Sequence, residues 1–369
     1  MRALRLLADD LTGALDTAAA FAARIGPLPV FPPGHLPARL PARLPRGAAI
    51  ATGLREQPER AAAQAMRSLA SFLAPRPATL SFLKLDSLLR GHPTIEIAAC
   101  IRAAPARPCI VAPAFPLYRR LTRLGRQYVC DSEEPRLTGA DLPAGLVAAG
   151  VALTLVNPGD PVPPGASLWD AETEADLCHI AEAGVARGAP ILWCGSAGLA
   201  QALAGPSAPL ASPLALPLLG LFGSNHPATT AQLAACSGHV HRLSGGEPEG
   251  IGAVRSRLGA GGIALTTFAL PPGISRSSAA RRIADALARL LPALPRPASL
   301  LVVGGETLAA VCAALGTHHL EVSGALAPGV PCSHLMGGLW DGLDLVSKSG
   351  AFGEPGLLAT LLAGAAHDR

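Results

Sequence analysis

The sequence predicts an α/β protein of two domains, each a mostly parallel sheet flanked by helices, with the active site in the interdomain cleft. Three observations carry this. Short apolar runs alternate with longer amphipathic segments along the chain, the pattern of strands joined by crossover helices. Several runs end in glycine and polar residues at a strand-to-helix turn, which is where open α/β sheets place their ligands. One stretch, 205–217 (GPSAPLASPLALP), has prolines and small residues that support neither a helix nor a central strand. It reads as a linker between an N-terminal domain, 1–204, and a C-terminal domain, 218–369. The 369 residues are enough for two cores.

Composition narrows the function. Half the residues are hydrophobic and 15% are charged, yet no apolar run reaches the roughly 18 residues of a membrane span. Acids follow the first apolar run at once, so the start does not read as a secretory signal, and a cytoplasmic location is expected. Eight cysteines lie far apart with no CxxC pair, which argues against a zinc site or a disulfide framework. A net charge of +4 on scattered arginines, with few aromatics for stacking, makes nucleic acid a poor partner.

In chain order, residues 3–7 read as a strand and 13–24 as a helix, with ADDLTGALD (8–16) between and across them. Asp9 and Asp10 at a strand's carboxyl end, followed by Thr12 and Gly13, suit a polyhydroxylated substrate, a metal, or both. The structural alternative makes Thr12 the helix cap and Asp16 an answer to the helix dipole. Prolines between 27 and 46 suggest an irregular crossing. A strand at 48–52 precedes Arg55, for which a solvated loop position is the alternative, and a helix follows at 58–73. The strand 79–84 runs into Lys84, Asp86, Ser87 and Arg90 around Gly91, denser in chemistry than a connector needs. After a strand at 109–112 comes a basic loop with Arg119, Arg120, Arg123 and Arg126, whose forks suit carboxylates or phosphates, or a solvated face. Strands at 151–156, 167–171 and 190–194 and a helix at 173–185 complete the first half, which closes on the turn Gly195-Ser196-Ala197-Gly198.

The second half restarts with a strand at 218–222 and the turn Gly223-Ser224-Asn225, opening a helix that carries Thr229 and Gln232. Further strands are expected at 240–243, 262–266 and 300–303, with a helix at 277–291 whose arginines form its wet face. Gly304-Gly305-Glu306-Thr307 then enters a helix, exposing backbone N–H groups that can cradle phosphate. In LVSKSGAFG (345–353), Lys348 can meet phosphate as a point charge, while Gly350 and Gly353 allow close approach. No GxxxxGK[ST] segment and no GxGxxG after a strand occurs, so a Walker loop and a dinucleotide fingerprint are excluded. The residues thus describe an acidic, polar first half and an anion-binding second half, able to hold a phosphoryl donor against a small acceptor.

These stretches occur together in one family. ADDLTGALD, KLDSLLRG, PAFP with Arg120 and Gly125, WDAETEADL, CGSAGLA, the Gly223-Ser224 turn, GGET, APGVP and KSGAFG run in order from Asp9 to Gly353. In this the chain resembles the four-carbon acid sugar kinases. The resemblance implies an ATP-dependent kinase that phosphorylates a hydroxyl of threonate, erythronate or a 3-oxo-tetronate, with magnesium whose ligands stay unassigned. It places Asp10 and Asp9 in catalysis, Thr12, Asp16, Arg55, Lys84, Asp86, Ser87, Arg90 and Arg120 on the sugar acid, and Ser224, Gly304, Gly305, Glu306, Thr307, Lys348, Gly350 and Gly353 on the nucleotide. A non-catalytic regulatory paralogue that binds nucleotide or sugar acid is the alternative, and a homodimer stays open. The chain departs from the family's usual pattern at Leu88, Arg119, His226 and Leu308.

Overall fold

The computed structural model describes residues 3–35, 47–131, 134–212, 214–244 and 248–367. Most of the proline-rich crossing, 36–46, and Pro213 of the expected linker lie outside the described residues. The chain divides into two compact units, residues 1–28 with 36–207, and residues 29–35 with 208–369. The main division falls inside the 205–217 segment. The return of residues 29–35 to the second unit has no signal in the sequence.

The first unit begins with β1 (Ala3–Ala8) and α1 (Leu11–Ile25). The chain then passes through β2 (Leu28–Phe31) and returns with β3 (Gly47–Ala51), α2 (Glu59–Leu69), β4 (Thr79–Lys84), α3 (Pro93–Ala103) and β5 (Cys109–Ala112). After a small three-stranded antiparallel sheet, β6 (Arg120–Arg123), β7 (Arg126–Val129) and β8 (Arg136–Leu137), come α4 (Leu142–Ala148), β9 (Leu153–Val156), β10 (Ala166–Trp169), α5 (Glu174–Ala186), β11 (Leu192–Gly195) and α6 (Ala197–Ala204). Its main sheet is wholly parallel, in the order β3-β1-β4-β11-β5-β10-β9. The central strands are mostly apolar because helices cover both faces, α1 packing with α6 and α6 with α5, and α3 with α2 and α4. The chain leaves β1 for β3 on one side and then crosses to β4 on the other. This makes β1 the switch point, where the loops of neighbouring strands turn apart and leave a crevice. The basic loop expected at 119–126 is a hairpin instead, with Leu124 and Gly125 at its tip in left-handed conformations. Alternation was the missing signal, since four arginines mask it.

The second unit continues with β12 (Leu218–Phe222), α7 (Pro227–Ala234), β13 (Val240–Leu243), α8 (Pro248–Gly259), β14 (Ile263–Phe268), α9 (Arg276–Ala293), β15 (Ser299–Val303) and α10 (Gly305–Leu315). It ends with β16 (His319–Ala327), β17 (Val330–Met336), β18 (Asp344–Lys348) and α11 (Leu357–His367). Strands β13-β14-β12-β15-β18 are parallel in that order, and β17 and then β16 add antiparallel beyond β18. Here the switch point lies at β12, flanked by β14 and β15. The β2 strand borders β16, and Phe31 packs against the His319 ring at 5.6 Å between centroids.

Gly47 shows how tightly β1 and β3 are matched. It pairs with Leu4 at φ +96°, and a Cβ there would lie 1.7 Å from the Leu4 carbonyl oxygen. Gly47→Ala is therefore expected to lose roughly 3 kcal/mol or more of stability, read as a fall in the urea midpoint, because backbone on a central strand must move.

Candidate functional site

In the first unit the polar residues gather at the carboxyl ends of three adjacent strands, β3, β1 and β4. Asp9 and Asp10 follow β1, Arg55 follows β3, and Lys84 ends β4 with Asp86 just beyond. Arg55 is buried and grips the Asp9 carboxylate at two points, Nε to Oδ2 at 2.6 Å and Nη2 to Oδ1 at 2.7 Å. Its third nitrogen, Nη1, donates to Asp10 Oδ2 at 2.9 Å, and Nη2 also lies 3.5 Å from Asp86 Oδ1. The solvated-loop alternative for Arg55 therefore does not hold: its fork is spent on carboxylates of the chain itself. Asp86 in turn holds Arg90 at two points and accepts the backbone N–H groups of Leu88 and Arg90. This closes the turn around the left-handed Leu89, φ +54°.

Asp10, not Thr12, is the cap of α1. Its Oδ1 accepts the Gly13 N–H at 2.9 Å, and the Thr12 hydroxyl donates to Oδ2 at 2.9 Å. Asp16 is buried farther along α1, outside its first turn, so the dipole reading of Asp16 also fails. A Cβ on Gly13 would lie 2.6 Å from Asp10 Oδ1 and 3.1 Å from Lys84 Nζ, so glycine there leaves room between the two groups. Lys84 is buried and donates to its neighbour's carbonyl, Leu85 O, at 2.7 Å.

Electrostatics separate the two adjacent acids. Burial pushes the Asp10 carboxyl up, but Arg55, Lys84, the Thr12 hydroxyl and the Gly13 N–H outweigh it and leave its pKa below the ordinary value. Burial leaves Asp9 raised despite the Arg55 fork. Access differs as well: the Asp10 side chain is 23% exposed and that of Asp9 only 2%. Asp86 is held well below the usual carboxylate range, burial being outweighed by the Arg90 hydrogen bonds and the Arg55 charge.

Of the four arginines expected in the basic loop, Arg123 and Arg126 form exposed pairs with Glu172 and Asp141. Arg120 is the one whose charge reaches Asp86 and Arg90. Its Nη1 donates to Tyr118 O, while its Nε is buried with no acceptor. Ser87 is buried, and its carbonyl accepts from Gln127 Nε2. The sequence reading passed over Glu96, a buried acid in the first turn of α3 that feels Asp9, Arg55 and Lys84. An acid at the start of a helix looks like a dipole partner, and only burial distinguishes it.

The second unit gathers its turns at the ends of β12, β15 and β18, which are adjacent. A Cβ on Gly350 would lie 2.0 Å from Ser224 Oγ, and one on Gly223 would lie 2.0 Å from Thr307 Oγ1. The Gly304 N–H donates to Lys348 O at 3.0 Å, and Thr229 Oγ1 donates to Gly350 O at 2.8 Å. Gly304, at φ +110°, opens α10, so the free N–H groups of that helix face the same turn. Lys348 is buried and donates to Ser349 O and Phe352 O, and desolvation lowers its pKa to about 8. The Gly353 carbonyl is taken by Gln232 Nε2, which also holds those of Phe352 and Glu354. Gly305 is the first residue of α10, and Glu306 beside it meets Arg276 at 3.4 Å. Two departures find structural uses: Leu308 is in the core, and the His226 ring caps α7 by accepting from Ala228 N.

Two family models match the chain. Residues 4–142 match the sugar-binding N-terminal domain family, and residues 263–358 match the nucleotide-binding C-terminal domain family. The chain is 33% identical to the D-threonate kinase of Cupriavidus necator, covering 96% of this chain and 95% of that one. With the D-threonate kinase of Bordetella bronchiseptica the identity is 29%, over the same shares of each chain. Among solved structures, the fold matches a protein of Salmonella typhimurium LT2 at a TM-score of 0.76 and 20% identity, with both chains fully covered. It matches the Haemophilus influenzae protein HI1011 at a TM-score of 0.70 and 18% identity, covering 98% and 99% of the two chains. The chain belongs to the four-carbon acid sugar kinase family. Among the described residues no helix is long and apolar enough to cross a membrane.

Arg55 carries the charge balance of the first cluster, so Arg55→Ala leaves two buried or half-buried acids without their shared cation. A loss of about 3–5 kcal/mol is expected, measured by urea unfolding at neutral pH, with Arg55→Lys recovering only part because an ammonium cannot reproduce the fork.

Proposed function

We propose that the protein is an ATP-dependent kinase that transfers a phosphoryl group to a hydroxyl of a four-carbon sugar acid of the threonate type. The observation that carries this reading is that one chain holds both a partly exposed carboxylate, Asp10, just past the first unit's switch-point strand and, in the second unit, a glycine-lined turn with Lys348 at its own switch point. The names and coverage of the relatives support the same substrate class.

In this reading the first unit holds the acceptor. Arg55 is fully engaged, so the acid's carboxylate falls to Arg120, whose Nε lacks an acceptor, and to Arg90, whose side chain is 49% exposed. Asp9 acts through Arg55 rather than on substrate, since its side chain is only 2% exposed and the Arg55 fork holds both its oxygens. Asp10 orients the attacking hydroxyl and takes its proton late in a loose transition state, for which a weak, well-placed base is sufficient. The second unit holds the donor. Ser224, Gly305, Thr307 and Gly350 offer N–H and hydroxyl groups to the phosphates, Gly304 shapes the turn while its own N–H is spent on Lys348 O, and Lys348 adds a positive charge. Glu306, the exposed acid nearest the cradle in sequence, would be the carboxylate available to a magnesium ion brought by the nucleotide, an ion that would supply positive charge to the phosphates and needs at most one or two protein carboxylates.

Mixing the protein with ATP, magnesium and D-threonate or D-erythronate is expected to release ADP only when the acid is present. Nucleotide binding without turnover on any four-carbon acid would favour the regulatory paralogue. Asp10→Asn is expected to lower kcat by at least about a hundredfold, as loss of a general base does, while ATP affinity is kept and the helix cap survives in the amide. Lys348→Ala is expected to act on the other side, raising KM for ATP with little effect on that for the acid.

Nucleotide binding also has a proton linkage with a definite sign. A phosphate beside Lys348 raises its pKa from about 8, so binding takes up a proton near that pH, and affinity falls as the pH rises past it. Titration calorimetry in two buffers of different ionisation enthalpy measures this uptake, which Lys348→Ala should abolish.

A further inference from the structure

Thr229 and Gln232 are polar side chains in a place where packing asks for apolar ones. They lie three residues apart on one face of α7, both fully buried, and both reach out to the chain between β18 and α11. Gln232 Oε1 is buried with no hydrogen-bond partner, a desolvation cost that an apolar side chain of similar shape would avoid. The return is on the other atom of the amide: Nε2 lies 3.2, 2.9 and 3.0 Å from the carbonyl oxygens of Phe352, Gly353 and Glu354. Thr229 Oγ1 donates to Gly350 O at 2.8 Å. Lys348 completes the set from the strand end, its Nζ donating to Ser349 O at 3.1 Å and Phe352 O at 3.0 Å. Every carbonyl from Ser349 to Glu354 except that of Ala351 is therefore held by a side chain. Each peptide unit is planar and trans, so an N–H points opposite to the C=O of the residue before it. Holding these carbonyls turns the N–H groups of Gly350, Ala351, Gly353 and Glu354 away from the side chains that hold them, and among the described residues none of the four has an acceptor. The Phe352 N–H turns inward, to Ser349 O at 3.2 Å. Free N–H groups gathered on a short turn, with Gly353 in the left-handed region at φ +86°, form an anion-binding nest.

We propose that Gln232 and Thr229 are positioning residues that lock the peptide orientations of the 349–354 loop, so that its N–H groups are aimed at a polyphosphate before one arrives. This rests on the nucleotide reading given above. A loop with two glycines has many backbone conformations open to it, and a flipped peptide would present a carbonyl to the anion in place of an N–H. Two donors on a helix remove that freedom in advance, which lowers the ordering cost that binding would otherwise carry.

The test removes the donors with little change of shape, in Gln232→Met and Thr229→Val. Each is expected to raise the calorimetric Kd for ATP by about tenfold, while KM for D-threonate moves by less than about twofold. Thr229→Ser keeps the hydroxyl and should bind ATP as wild type does. Wild-type ATP affinity in Gln232→Met, or an acid KM that rises as much as the ATP Kd, overturns the proposal. A second measurement needs no variant. The sequence has only two Phe-Gly peptides, Phe222-Gly223 and Phe352-Gly353, so protein labelled with ¹³C-carbonyl phenylalanine and ¹⁵N-glycine gives two filtered amide signals. Saturation with inorganic tripolyphosphate is expected to move the Gly353 amide proton downfield, as an N–H that gains a phosphate acceptor does. Gly223, whose N–H is already held by Val303 O at 3.3 Å, serves as the reference. A Gly353 signal that stays in place in saturated wild type overturns the proposal, and this spectrum decides if neither variant folds. Wild type that shows the Gly353 shift but phosphorylates no four-carbon acid counts against the kinase reading and leaves this proposal standing. Wild type that binds neither ATP nor tripolyphosphate overturns both.

Discussion

Everything in the first unit depends on one buried guanidinium meeting two carboxylates that are adjacent in sequence. Asp9 and Asp10 leave β1 together, and side by side they repel. Arg55 resolves this because its planar fork presents three nitrogens in fixed directions, two to Asp9 and one to Asp10. That geometry needs the end of β3 directly beside the end of β1, which the parallel register from Leu4–Gly47 to Ala8–Ala51 supplies. The switch point at β1 brings Lys84 and Asp86 in from the other side. Sheet order, not loop sequence, therefore assembles the cluster.

The two units meet charge by different means. The first buries ionised side chains and balances most of them against one another, so few donors are left for a ligand. The second keeps nearly all its polar capacity on the backbone, with small residues so close that a methyl group would collide with Ser224 or Thr307. On the proposed reading the contrast has a physical reason. A polyphosphate brings enough negative charge to be held by N–H dipoles and one lysine, whereas a small acid with several hydroxyls needs directional groups fixed in advance.

Much of this was legible in the sequence because strand-to-helix turns are marked by glycine and polar residues, and those marks are local. ADDLTG, KLDSLLRG, GGET and KSGAFG all fall at strand ends of neighbouring strands, so the turns could be named before their adjacency was known. What was not legible is what depends on partners distant in the chain. That Arg55 is spent internally follows from the β1–β3 pairing, and a lone arginine past a strand gives no hint of it. The antiparallel β16–β17 hairpin carries a glycine and an irregular register, Val322 to Gly324, which blurs its alternation. Residues 29–35 join the second unit through Phe31 and His319, a contact across nearly three hundred positions. Glu96 looks like an ordinary helix-start acid until its burial is known.

On the proposed reading, the division of labour between Asp9 and Asp10 follows from the same constraint. An acid whose two oxygens are both held by a buried arginine can neither reach a substrate hydroxyl nor take a proton without breaking the fork. Asp10 keeps one contact with Arg55 and spends its remaining bonds on Thr12 and the first turn of α1, and its side chain is 23% exposed. Those bonds lower its basicity, which would count against a base that must remove a proton before attack. In a loose phosphoryl transfer the hydroxyl keeps its proton until the new bond is largely made, and its acidity rises as that bond forms. Under that chemistry, placement matters more than strength. A carboxylate fixed by a helix cap and a guanidinium, and shielded from Asp9 by that same guanidinium, is well suited to accept the proton at the end of the step.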